Sequence, residues 1–315
     1  MARILVTGAA GFIGRALCRG LVERGHAVLG ATRGAAAPIA GVEFCAVGEI
    51  GRRTDWSKPM AGVDTVVHLA DRAHRSQIDP SLTVEAEAAA ALARQASAAG
   101  VRRLVQMSSV RAIGEATRPG MPFRAGDAPR PRDRYGRGKL ATERALLAAT
   151  RESGLELVVL RPPLVYGPGV KANFRALIRI AGSGLPLPFA GIDNRRSLIF
   201  IDNLVGLAAL ACEHPAAAGR VLLARDAVDL STPQLLRALA DGLGRPARLF
   251  AVPDATFRLL RRLPGLGPRF ARLTLSLQVD DSTTRDALGW VPEIAPEQAL
   301  LATAAAFRRR FDAQQ

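Results

Sequence analysis

The sequence predicts an α/β fold: a doubly wound parallel sheet followed by a smaller C-terminal domain. Three observations carry that expectation. Short, continuously apolar runs alternate with helix-length stretches through the first half of the chain. Strands covered on both faces read as unbroken apolar runs, and parallel strands need helical crossovers between them. A glycine cluster separates the first apolar run from the first helical stretch, and after Pro168 the alternation gives way to short helices, short strands and Pro/Gly turns.

Residues 3–7 (RILVT) form the first predicted strand. Ile13, Leu17 and Leu21 then recur at helical spacing across residues 12–24, and Gly25 sits where a helix stops. Strands follow at 26–31, at 64–70 (DTVVHLA) and at 104–107. An Ala-rich helix is expected at 83–99, before Gly100, and another at 139–153, before Gly154. The run 155–160 (LELVVL) is a further strand, stopped by Pro162 and Pro163. Residues 1–167 are therefore assigned to the sheet domain and 168–315 to the second domain, with helices at 174–181, 233–243 and 255–263. The strand–helix unit at 197–212 is apolar enough to return to the sheet. One continuous domain with long insertions is the alternative. No internal repeat or low-complexity linker interrupts the chain.

Of the 315 residues, 49% are hydrophobic and 23% charged, which supplies a full-sized core and excludes global disorder. The net charge of +15 admits nucleic acid, a membrane surface or an anionic substrate as partner. Only Lys58, Lys139 and Lys171 are lysines, and alanine is abundant. That pattern fits the coding bias of a GC-rich genome, so nucleic acid is disfavoured and a polyanionic small molecule preferred. Cys18, Cys45 and Cys212 are too scattered for a disulfide framework or a metal knuckle, which fits a reducing cytoplasm. No apolar run approaches the ~18 residues of a membrane span. The opening MARILVTGAAG lacks the apolar stretch of a signal peptide, so a cytoplasmic protein without an integral membrane segment is expected.

Gly8, Gly11 and Gly14 (GAAGFIG) open directly after the first strand. Glycines there allow a tight turn and a close backbone approach to a pyrophosphate at the positive end of the first helix. With a strand before and a helix after, the motif predicts a Rossmann-type dinucleotide site that includes Phe12 and Ile13. An acid at the end of the second strand would bond a ribose 2′-hydroxyl and select NAD. This chain has Thr32 then Arg33. A guanidinium suits a 2′-phosphate, so NADP is favoured over NAD; the competing reading makes Arg33 one more solvated arginine.

Tyr135 and Lys139 (YGRGK) stand four residues apart, on one face of a helix start. A phenol titrates near 10 and needs a neighbouring ammonium to serve as an acid–base group at neutral pH. Ser109 lies just past a predicted strand, at the carboxyl edge of the sheet where α/β sites form. Its hydroxyl suits a reacting carbonyl or alkoxide oxygen. Each feature alone is common; in this order after the glycine motif they are specific.

Taken together, TGAAGFIG at 7–14, DTVVHLA at 64–70, SSVRAIG at 108–114, YGRGK at 135–139, RPPLVYGPGV at 161–170 and RRSLIFIDN at 195–203 resemble the extended short-chain dehydrogenase/reductases of the NAD-dependent epimerase/dehydratase family. The resemblance spans essentially the whole chain. It is strongest to a UDP-glucose 4-epimerase-like subgroup, which includes 4-ketoreductases that make UDP-N-acetylquinovosamine for bacterial surface polysaccharides. It implies Tyr135 as the acid–base residue, Lys139 on the ribose, and Ser109 on the sugar C4 oxygen. Glu49 and Ile50 would lie by the adenine, Leu69 and Ala70 by the pyrophosphate and ribose, and Pro162 and Leu164 by the nicotinamide. Arg111, Asn173, Phe174 and Arg196 would meet a UDP-sugar, Arg196 at the diphosphate. The helices at 83–99 and 139–153 would pair into a homodimer.

Three positions depart from the family pattern: Asp71 after HLA, Glu85 on the following helix, and Gly138 before the lysine. His68 is expected to pack within its strand, and His74 to lie near the pocket. Asp280 and Asp281 lack a histidine partner, so no metal is expected. Arg258, Arg261, Arg262, Arg269 and Arg272 surround apolar residues in a helical stretch. They read as the second domain's outer face, with one arginine near the diphosphate, or alternatively as a surface that touches lipid. The preferred reaction is 4-keto-reduction of a UDP-4-keto-6-deoxyhexose, because Thr32-Arg33 suggests an exchangeable NADPH. A UDP-hexose 4-epimerase with retained NAD is the alternative, and a non-catalytic nucleotide sensor the third reading.

Overall fold

The computed structural model describes residues 1–70 and 82–312. Its strands and helices follow in the order β1 (Arg3–Thr7), α1 (Phe12–Glu23), β2 (Ala27–Thr32), β3 (Val42–Ala46), β4 (Thr65–His68), α2 (Leu82–Ala98), β5 (Arg103–Met107), α3 (Arg134–Thr150), β6 (Glu156–Arg161), β7 (Leu164–Tyr166), α4 (Ala172–Ala181), β8 (Leu198–Phe200), α5 (Ile201–Glu213) and β9 (Val221–Leu223). Among the described residues five helices follow: α6 (Thr232–Gly242), α7 (Asp254–Leu260), α8 (Gly267–Thr274), α9 (Ser282–Leu288) and α10 (Pro296–Asp312).

Seven strands form one sheet in the order β3-β2-β1-β4-β5-β6-β9, and every pairing is parallel. The alternation of side chains along each strand builds two separate layers. Ile4 and Val6 of β1 face a core shared with Leu17 and Leu21 of α1 and Leu204 and Ala208 of α5. Leu5 faces a second core with Leu92 and Ala93 of α2 and Leu146 of α3. Each fully buried leucine contributes about 1.5–3 kcal/mol relative to exposure. The chain runs outward from β1 to β2 and β3, then returns to the other side of β1 with β4. That reversal opens a crevice at the carboxyl ends of β1 and β4, where ligands bind in such sheets.

Several expectations change. The edge strand β3 carries only half-buried or exposed side chains, so its sequence, VEFCA, lacked the apolar run that marked the others. The strand at 198–200 does not rejoin the main sheet but pairs with β7. Its helix α5 does return, packed against α1, and β9 takes the last place in the sheet beside β6. Helix α3 begins at Arg134, five residues before the predicted start at 139. Asp133 caps it, its side-chain oxygen accepting from the Gly136 N–H at 2.7 Å. Gly136 and Gly138 hide this turn from any propensity argument. A Cβ on Gly136 would lie 2.2 Å from the Arg111 carbonyl oxygen, so the glycine is demanded by close packing.

The first core is continuous with the C-terminal region, because Phe174, Leu236, Leu239, Phe257 and Trp290 belong to it. A polar knot reinforces that junction. The buried Asp226 accepts from the Tyr166 hydroxyl (2.8 Å), the Phe200 N–H (3.0 Å) and the Asn203 amide (2.8 Å), while Asn203 accepts from the Ile294 N–H (3.0 Å). Burial pushes the Asp226 carboxyl up, and the hydrogen bonds from Phe200, Asn203 and Tyr166 oppose that shift. Asp226→Ala leaves three buried donors without their acceptor. We expect a loss of about 2–4 kcal/mol in urea unfolding. A loss below about 1 kcal/mol would show that the knot contributes little net stability.

Candidate active site

The glycine turn fits a pyrophosphate. The Gly11 N–H donates to the Gly8 carbonyl at 2.9 Å. A Cβ on Gly14 would sit 2.3 Å from that same oxygen and 2.8 Å from the Ala9 Cα, so only glycine lets the helix start so close to the turn. No side chain caps the α1 N-terminus and no acid lies in its first turn, which leaves the positive helix end for an anion. Phe12 and Ile13 are half-buried at the same end. Thr7 Oγ1 accepts from the Leu69 and Ala70 N–H groups, each at 3.2 Å, and lies 2.8 Å from His68 Nδ1. That hydroxyl joins β1 to the residues after β4 and sets Leu69 and Ala70 beside the turn. His68 is buried within β4.

Past β2, the Thr32 hydroxyl donates to the Gly34 carbonyl at 2.7 Å, and Arg33 is exposed. The Val47 N–H donates to the Thr32 carbonyl at 2.9 Å. This brings the segment that leads to Glu49, which is exposed, and Ile50, which is half-buried, alongside the end of β2.

The chemical residues converge at the carboxyl end of β5. Ser109 caps a 3-10 turn, Val110–Ala112, and its oxygen accepts from the Arg111 N–H at 3.3 Å. A hydroxyl used this way keeps its proton to donate. Tyr135 lies half-buried in the first turn of α3. One turn on, Lys139 is buried and donates from Nζ to the Met107 carbonyl at 3.0 Å. That ammonium stands 5.8 Å from the centre of the Tyr135 ring, and the Arg111 guanidinium 5.7 Å. Arg111 is also paired with Asp133, the cap of α3. The structure therefore brings Ser109, Tyr135, Lys139 and Arg111 to one place.

Beneath them lies a network the sequence reading missed. Glu143, one further turn along α3, accepts from Arg161 Nε at 2.9 Å and Nη2 at 2.6 Å, and from the Ser108 hydroxyl. All three side chains are buried. The signal was present as Tyr135, Lys139 and Glu143 at four-residue steps, with Arg161 ending an apolar strand. The Pro162 carbonyl accepts from the Val110 N–H at 2.9 Å, which seats the serine turn against the end of β6. Pro162 is buried there and Leu164 is exposed at the start of β7.

Further arginines gather around Arg111. Arg196 is half-buried and donates from Nη1 to the Leu275 carbonyl at 2.9 Å. Burial, then the charges of Arg111 and Arg272, pull its guanidinium down to about 10. Burial and then Arg272 also lower Arg111, while Glu115 and Tyr135 oppose that shift. These three arginines are close enough to lower one another's guanidinium groups, a repulsion that a bound anion would relieve. Asn173 is exposed in the first turn of α4. The Phe174 ring is 1% exposed and stacks on Tyr166 at 5.2 Å, so its side chain is core and only its backbone is left to meet a ligand.

Asp281 is taken by Arg285 (2.9 Å) and Arg225 (3.4 Å), and Asp280 by Arg124 (3.3 Å), so each aspartate serves ion pairing. Glu85 lies in the first turn of α2, where a helix favours a carboxylate. Asp71 and His74 lie outside the described residues. Among the described residues, no helix is long and apolar enough to cross a membrane.

The sequence pattern of the NAD dependent epimerase/dehydratase family matches residues 4–223. The chain belongs to that family. A UDP-glucose 4-epimerase of Vibrio cholerae is 40% identical over 313 residues, covering 96% of this chain and 95% of its own length. A 2-alkyl-3-oxoalkanoate reductase of Stenotrophomonas maltophilia is 30% identical, covering 95% of this chain and 97% of its own. The solved structure of MoeE5 in complex with UDP-glucuronic acid and NAD superposes with a TM-score of 0.79 at 25% identity, covering 98% of this chain and 99% of that one. This chain is accordingly an enzyme of the epimerase/dehydratase family, on its NAD-dependent fold.

The depressed Arg196 gives a direct test. A guanidinium pulled down to about 10 is a charged group the fold disfavours at every pH below that value. A bound anion relieves the cost. UDP in large excess over its dissociation constant should raise the melting temperature by about 5 °C or more. In Arg196→Gln most of that rise should vanish. An undiminished rise would remove Arg196 from the anion site.

Proposed function

We propose that this enzyme acts at C4 of a UDP-hexose, with epimerisation the first reading. The single observation that carries C4 oxidoreduction is the placement of Tyr135, Lys139 and Ser109 at the carboxyl end of β5, beside the crevice between β1 and β4. The arginine group of Arg111, Arg196 and Arg272 favours a nucleoside diphosphate over an uncharged acyl substrate. The relative from Vibrio cholerae, similar across almost the whole chain, favours epimerisation over the reduction preferred from the sequence.

In this reading Tyr135 takes the proton of the C4 hydroxyl while Ser109 hydrogen-bonds the same oxygen. Lys139 holds the ribose and lends positive charge beside the phenol ring. A bound nicotinamide would supply the hydride acceptor and donor for C4. For inversion the 4-keto sugar would have to present its opposite face, and Tyr135 gives its proton back to the oxygen. Gly8, Gly11, Phe12, Ile13 and Gly14 carry the pyrophosphate, with Leu69 and Ala70 beside it. Glu49 and Ile50 are assigned to the adenine, Pro162 and Leu164 to the nicotinamide, and Asn173 to the uridine diphosphate. Residues 1–167 bind chiefly the cofactor and 168–315 the sugar nucleotide. We place the enzyme in the cytoplasm, as a homodimer through the outer faces of α2 and α3, where Arg94, Arg144 and Leu147 are exposed. The inner alanines of α2 are already buried within the protomer.

A second reading, 4-keto-reduction with NADPH, rests on Thr32-Arg33, where an arginine stands in place of the acid. Two incubations separate the readings. UDP-glucose or UDP-N-acetylglucosamine without added cofactor should equilibrate at C4, and a UDP-4-keto-6-deoxyhexose should leave NADPH absorbance unchanged. Stoichiometric NADPH oxidation with no C4 equilibration would reverse the assignment. Tyr135→Phe should lower either turnover about 10²–10⁴-fold; a cellular role that survives the change would favour the sensor reading. Under the second reading, Arg33→Ala should raise the KM for NADPH much more than that for NADH. Equal, small effects on both would assign Arg33 to the solvated surface.

A further inference from the structure

The segment from residue 245 to 279 carries seven arginines against one acid, Asp254. Asp254 already lies within 3.7 Å of Arg258 and 3.9 Å of Arg261. Helices α7 and α8 pack on each other and are joined by a turn. Phe257 anchors the pair inward, fully buried and stacked on Phe189 at 5.7 Å. The opposite side points outward. Leu259, Leu263 and Leu266 are 64%, 39% and 44% exposed at or beside the turn. Arg258, Arg262 and Arg269 are exposed around them. Neither the proposed C4 chemistry nor its anion site uses these six side chains.

We propose that this turn docks the enzyme on an anionic lipid surface. Three exposed aliphatic side chains at a helical turn, ringed by arginines, suit shallow entry among acyl chains beneath anionic headgroups. Arginines lay their apolar stems along such a turn and direct their guanidinium groups to headgroup phosphates. The charge is complementary at both scales, since the segment has a single acid and the chain a net charge of +15. Nucleic acid offers the same phosphates but no partner for three leucines.

The test is co-sedimentation of the full-length enzyme with vesicles. Phosphatidylcholine–phosphatidylglycerol vesicles should pellet the protein and pure phosphatidylcholine should not, with binding weakening as salt rises. Leu259→Ser/Leu263→Ser/Leu266→Ser retains every charge and should lower partitioning by about tenfold or more. Arg258→Glu/Arg262→Glu/Arg269→Glu should do the same. Arg53→Glu/Arg151→Glu/Arg220→Glu, exposed on other segments of the chain, should cost distinctly less. If the triple-serine chain loses its cooperative melt, Leu263→Glu alone carries the comparison. Absence of pelleting would overturn the proposal and leave this face to a protein partner. Equal binding to both vesicle types, or undiminished binding of the leucine variants, would also overturn it. Turnover of soluble substrate does not enter the readout, so failure here is distinct from failure of the C4 assignment.

Discussion

The paired charges of Glu143 and Arg161 hold the reactive end of this enzyme together. Arg161 closes β6 and Glu143 projects from α3, and their two-point contact fastens the helix to the sheet away from water. A buried pair of this kind is costly to break from either side, because the survivor is left charged and unpaired. Glu143 lies one turn beyond Lys139, and Lys139 one turn beyond Tyr135, so fixing the glutamate fixes the register of all three. The same carboxylate receives the Ser108 hydroxyl and thereby steadies the residue before Ser109. Met107 and Pro162 contribute carbonyls that seat Lys139 and the serine turn. The candidate catalytic group is thus positioned by backbone oxygens and one buried ion pair.

The excess of arginine resolves into distinct physical roles. Some arginines are structural: Arg103 is fully buried, paired to Glu156 at 2.7 Å, and donates to the Ala211 and His214 carbonyls at the end of α5. A cation there meets the negative end of a helix. Arg111, Arg196 and Arg272 lie close enough to depress one another's guanidinium groups, which in the proposed reading makes them the anion site. Others line the outward turn between α7 and α8. Net charge alone could not sort these roles, because a guanidinium reads identically in sequence whether it is buried, poised or solvated.

The sequence by itself determined the alternation of strands and helices, the glycine turn, and the set Ser109, Tyr135 and Lys139. These are short-range patterns whose spacing is their meaning: an apolar run, a glycine at a tight turn, two side chains one helical turn apart. Tertiary structure decided the rest. The early start of α3 was hidden by Gly136, which is present because the Arg111 carbonyl needs the space. Strand β8 left the main sheet for β7, a choice between partners that its apolar pattern cannot express. The Phe174 ring is enclosed in the core by Tyr166 and its neighbours, a burial its place in the motif does not reveal. Pairs such as Glu143 with Arg161, or Asp226 with Tyr166, join residues 18 and 60 positions apart. Local periodicity carries no information across such separations; only the folded chain brings the two charges, or the donor and its acceptor, within bonding distance.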